Sequence, residues 1–134
     1  PNTIAFIKRI RSLHYSISGR NYDLYEMQAR IIDFCSKYFL PAKVVRNIEL
    51  LSEEVLQIAP IENGAELILD YSESTEQVTL QLQVPYKGLV LGADEEPDML
   101  SMAIINNICS DVDEERISDD ILSLRFTLKK INQQ

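Results

Sequence analysis

The 134 residues carry thirteen Lys and Arg against twenty-one Asp and Glu, a net charge of −8, and 46% of them are apolar. That length and apolar share suit one domain with a real core, and exclude a disordered chain or a pair of domains. The acidic balance argues against a nucleic-acid surface, because phosphate binding needs clustered cations.

The chain opens on a basic stretch, TIAFIKRIR over Thr3–Arg11, without a clear helix cap. It reads as a tether helix or linker over residues 1–11, ahead of a single domain over 12–134. The start at Pro1 fits a processed terminus or excision from a longer protein. Leu13, Tyr15 and Ile17 then alternate with Ser12, His14 and Ser16, the period of a half-buried strand. Leu24, Met27, Ile31, Phe34 and Tyr38 follow at helical spacing, with Asn21 as the predicted cap. Val44, Ile48, Leu51, Val55 and Ile58 mark a second helix that opens at Pro41 and stops before Pro60. Two more alternating runs come next: Leu67, Leu69 and Tyr71, then Val78, Leu80, Leu82, Val84 and Tyr86. Leu100, Ala103, Ile104 and Ile108 predict a third helix, and Leu122, Leu124, Phe126 and Leu128 a last strand. One face of each strand is polar, so one side of the sheet is open. The order βααββαβ predicts an α+β fold, a two-layer sandwich of a mostly antiparallel sheet with helices on one face.

Charge is uneven along the chain. Residues 1–47 hold eight Lys or Arg and three Asp or Glu; residues 48–134 hold five and eighteen. Such asymmetry fits docking between unlike surfaces. The two cysteines, Cys35 and Cys109, sit in apolar settings that read as helical, which argues against a disulfide scaffold or zinc site. No apolar run approaches the roughly 20 residues of a membrane span, and no signal peptide opens the sequence. The expectation is a reduced, cytoplasmic, soluble domain.

Catalytic motifs are scarce. The one histidine, His14, lies on the polar side of a strand, and neither Gly-x-x-x-x-Gly-Lys nor Gly-x-Gly-x-x-Gly occurs. The acidic runs Asp94-Glu95-Glu96 with Asp98, and Asp111, Asp113, Glu114 and Glu115, lack the spaced oxygens and turn glycine of a calcium loop. No metal is expected.

From the second helix onward the sequence resembles the histidine-kinase-like ATPase fold, the GHKL superfamily with its Bergerat-type sandwich, and within it the anti-sigma-factor branch. The match spans about residues 12–131. In that family a helix presents a Glu that acts as base or water-holder and, four residues later, an Asn that holds magnesium. Here Glu53 falls on the Glu and Gln57 on the Asn, on one helical face. The family's adenine-binding Asp-x-Gly-x-Gly turn corresponds to Tyr86-Lys87-Gly88-Leu89-Val90, which keeps Gly88 and replaces the Asp by Tyr86. Its Gly-rich phosphate lid corresponds to Met99-Leu100-Ser101-Met102-Ala103, without glycine. Glu53, Gln57, Tyr86, Gly88 and Ser101 are thus vestigial pocket positions, and no nucleotide or other cofactor is expected. The sequence is also similar to a C-terminal extension of the ATP-binding subunit of bacterial polar amino-acid ABC importers, in Leu51-Ser-Glu-Glu-Val-Leu-Gln57, Leu100-Ser-Met-Ala-Ile-Ile105 and the basic opening. That resemblance implies a non-catalytic regulatory domain that docks on, or dimerises beside, an ABC ATPase domain in the same chain or complex. It implies a homodimer, no nucleic-acid partner, and membrane contact only through a transporter. It leaves room for a basic or zwitterionic effector in the old pocket. The alternative is a free-standing anti-sigma-like serine kinase or protein binder with Glu53 as base.

Overall fold

The computed structural model describes residues 10–85 and 98–134. Strand β1 (Ile10–Ile17) leads into helices α1 (Leu24–Lys37) and α2 (Ala42–Ile58). Strands β2 (Ala65–Ser72) and β3 (Gln77–Pro85), helix α3 (Met99–Ile108), strands β4 (Cys109–Arg116) and β5 (Ile121–Leu128), and a 3-10 turn (Ile131–Gln133) complete the chain. The sheet order is β1-β2-β3-β5-β4 and every pairing is antiparallel. The fold is α+β, a two-layer sandwich. Four of the five strands fall where alternation predicts them.

The alternation also fixes which face each strand buries. Leu67, Leu69, Leu80, Leu82, Phe126 and Leu128 point into the helix layer. There they meet Met27 and Ile31 of α1, Ile48, Leu51 and Val55 of α2, and Ile105 of α3, all buried. Removal of this apolar area from water is what holds the two layers together. The other sheet face is polar. Its central row runs His14, Ile68, Gln81, Arg125, Asp113 across the five strands.

Several expectations need correction. Strand β4, CSDVDEER, pairs with β5 although its sequence shows no alternation, because an edge strand needs only one partner and acidic side chains suit its exposed rim. Cys109 therefore opens a strand and is not helical. Asp111, Asp113 and Glu115 alternate onto one face of the pleat and Glu114 takes the other. The buried face of α3 is Ser101, Ile105 and Ile108; Leu100 and Ala103 are exposed. Asp23, not Asn21, caps α1, its carboxylate accepting the Glu26 N–H at 3.0 Å. Pro41 is the residue before the first turn of α2, which runs from Ala42. Residues 1–9 of the expected tether lie outside the described residues, and Ile10 and Arg11 belong to β1.

Helix α1 ends in a Schellman motif. The Phe39 N–H reaches the Ser36 carbonyl at 3.3 Å and the Leu40 N–H reaches the Cys35 carbonyl at 3.1 Å. The motif requires a left-handed residue at its turn, a place that glycine usually fills. Here Phe39 takes it, with φ of 56°. That backbone costs a residue with a β-carbon roughly 1–2 kcal/mol, and the ring it carries is 91% exposed.

Candidate functional site

The last two turns of α2 carry the residues in question. The apolar seam Val44–Ile48–Leu51–Val55 faces the sheet, which turns Glu53, Glu54 and Gln57 away from it. Glu53 is half-buried on the α1 side, where its Oε1 accepts a hydrogen bond from the Gln28 amide. The Tyr22 phenol lies in the same neighbourhood; burial first, and the Glu53 charge second, push its pKa above the ordinary value. Gln57 is exposed, and its side chain makes no hydrogen bond among the described residues.

Glu54 leans the other way, toward α3. Its Oε2 accepts the Ser101 hydroxyl at 2.5 Å, and Ser101 is 2% exposed. At the same helix start the Asp98 carboxylate accepts the N–H groups of Leu100 at 3.0 Å and Ser101 at 3.2 Å. These are the first amides of α3. Here a carboxylate of the chain itself occupies them, and a second anion there would meet like charge. Tyr86 and Gly88, with Asp94, Glu95 and Glu96, lie outside the described residues.

The three predicted positions that the structure describes are therefore split. Glu53 belongs to the α1–α2 junction, Ser101 to the α2–α3 junction, and Gln57 to the surface. Arg20 fixes the end of α2 that carries them. Its guanidinium donates to the Leu56 and Ala59 carbonyls, both at 2.7 Å, and pairs with Glu62 at 2.8 Å. Backbone and Arg20 hydrogen bonds hold the Glu62 carboxyl below its ordinary pKa.

A second recess was not legible in the sequence. Lys43, Asn47, Asn107, Ile108, Lys129 and Gln134 line a space of about 240 Å³ at the opposite end of α2. Asn47 donates to the Gln134 side chain at 2.8 Å, and neither lysine has an ion pair among the described residues. These residues come from α2, the end of α3 and the chain after β5, and meet only in the folded chain. A groove of about 300 Å³ on the open sheet face is lined by Asp70, Thr79, Arg125 and Thr127 among others. Among the described residues, no group of three or more His, Cys, Asp or Glu is placed to hold a metal ion, and no helix is long and apolar enough to cross a membrane.

Compared with known proteins, the sequence stands apart: no protein-family model matches it, and no curated protein does.

Proposed function

We propose that this chain is a regulatory docking domain without nucleotide chemistry of its own, joined to the ATP-binding subunit of a bacterial amino-acid ABC importer. One observation carries the first half. The α3 amides that the resembled family offers to phosphates are taken by Asp98, while Ser101 is committed to Glu54. A triphosphate approaching that helix would have to displace two internal hydrogen bonds and stand beside a carboxylate. Glu53 keeps its place on α2, one carboxylate oxygen accepting from the Gln28 amide, but without a phosphate site beside it there is nothing for it to act on.

The second half rests on the resemblance of Leu51–Gln57 and Leu100–Ile105 to the importer extension. In such a chain the neighbouring cassette hydrolyses ATP, and this domain biases the equilibrium between open and closed cassette pairs. It does so by binding one state more tightly than the other. The setting is cytoplasmic, at the inner face of the membrane and reached through the transporter. The partners are the ABC ATPase domain and a second copy of this domain.

The test is the reading frame upstream of Pro1. An in-frame ATP-binding cassette with a Gly-x-x-x-x-Gly-Lys phosphate loop is expected. A stop codon followed by a start immediately before Pro1 would overturn the fusion.

A further inference from the structure

The recess at the start of α2 is rich in hydrogen-bond donors. Lys43 and Lys129 each bring an ammonium group that donates and cannot accept. Neither side chain has an ion pair or hydrogen bond among the described residues. In a chain with twenty-one Asp and Glu against thirteen Lys and Arg, these two cations share a wall that contains no Asp or Glu among the described residues. The Asn107 side-chain amide is likewise without a partner there. Asn47 donates one N–H to the Gln134 Oε1 at 2.8 Å, and Gln134 donates one to the Lys129 carbonyl at 2.7 Å, so each amide keeps a second N–H to give. The Ile108 carbonyl at the end of α3 is already taken by the Lys129 N–H at 3.1 Å.

The local sequence adds positive charge where a helix ordinarily places negative. Helix α2 has no side-chain cap and no acidic residue in its first turn, and Lys43 stands in that turn. A cation there opposes the positive end of the helix dipole. Lys129, from the chain after β5, then brings a second cation to the same recess without a carboxylate to balance the two. An anion between them would cancel this repulsion and meet donors on several sides. We propose that the recess binds a small doubly charged oxyanion, a phosphate or a dicarboxylate, between the Lys43 and Lys129 ammonium groups, with the Asn47, Asn107 and Gln134 amides donating to its remaining oxygens.

Size sets the ligand class. The space of about 240 Å³ is smaller than the roughly 300–1,000 Å³ of pockets that hold drug-sized molecules, so it suits an ion of a few heavy atoms and not a nucleotide. The recess is also separate from the vestigial pocket positions. Lys43 and Glu53 stand about 15 Å apart along α2 at 1.5 Å per residue. The site therefore does not rest on the docking reading, and the two fail separately. A chain that ignores oxyanions leaves an upstream cassette in place; a missing cassette leaves a measured anion site in place.

The experiment is an NMR titration of the 134-residue chain with inorganic phosphate, and separately with succinate, each at ionic strength held constant with sodium chloride. The side-chain amide signals of Asn47, Asn107 and Gln134 should move along one saturating curve with a Kd at or below about 10 mM. Those of Gln28 and Gln81, on the far side of α2 and on the open sheet face, should stay in place. Saturation by phosphate alone supports a compact tetrahedral ligand, by succinate alone a dicarboxylate, and by both a general dianion site. Lys43→Met and Lys129→Met should each weaken binding about tenfold. Lys37→Met removes the same charge from α1 and should leave the Kd unchanged. In chloride, the two recess variants should melt no lower than wild type, because each removes one of two like charges; weaker binding with unchanged stability separates a ligand site from damage to the fold. Three results would each overturn the proposal: no saturable movement with either anion up to about 50 mM, an equal loss of affinity in Lys37→Met, or affinity retained in both recess variants.

Discussion

Arg20→Met removes the guanidinium that ties the loop after β1 to the end of α2, and keeps most of the side chain's length. Two hydrogen bonds to main-chain carbonyls are lost, each 2.7 Å, together with the 2.8 Å pair to Glu62. A hydrogen bond from a charged donor contributes about 1.5–3 kcal/mol when buried. The Arg20 side chain is 43% exposed, so each is worth about 1 kcal/mol here and water can replace part of what is lost. The exposed ion pair adds a few tenths. The expected cost is about 2 kcal/mol, read by urea unfolding as a lower midpoint with an unchanged slope. Glu62→Gln alone should cost well under about 1 kcal/mol, and the double variant should cost less than the sum of the two singles. The pH dependence has a definite sign. Glu62 has its pKa depressed in the folded state, so its contribution is present above the unfolded carboxylate pKa and disappears as pH falls through the folded value. Arg20→Met within about 0.5 kcal/mol of wild type would refute the clamp.

Other outcomes follow from the same structure. Burial pushes the Cys35 thiol up to about 12 and the Cys109 thiol to about 11, so neither should react with a thiol reagent at pH 8 until urea unfolds the chain. Leu80→Ala, in the central strand and fully buried, should cost about 2–5 kcal/mol, measured by the same unfolding titration. Ser101→Ala should cost about 1 kcal/mol by stripping Glu54 of its donor. Glu54→Gln should recover part of that loss in the double variant, since it removes the unpaired charge.

Much of the fold was legible because four strands bury one face and expose the other. The period-two rule reads such strands directly, as in Val78–Leu80–Leu82–Val84. Strand β4 was not, because only Cys109 is buried and its rim carries Asp111, Asp113, Glu114 and Glu115. Its existence depends on the pairing offered by β5, which no local window contains. Helix α3 was found but rotated. Ile104 and Ile105 are both apolar, so hydropathy alone could not choose between them, and the polar residue that is buried, Ser101, owes its place to Glu54 on another helix. The candidate site was legible in part for the same reason. Spacing put Glu53 and Gln57 on one face of α2, but the partner that occupies Glu53, Gln28, stands 25 residues earlier on α1. The Phe39 strain gave no sequence signal, since a Schellman turn is expected to announce itself with glycine.

The absence of nucleotide chemistry is tested most directly by thermal unfolding of the chain against increasing Mg-ATP. A ligand confined to the folded state adds about 2.7 kcal/mol at a hundredfold excess over Kd, a rise on the order of 10 °C for a domain of this size. With Asp98 on the α3 amides, the melting temperature should not move at millimolar Mg-ATP. A saturable rise, lost in Glu53→Ala, would contradict the docking reading and restore the kinase.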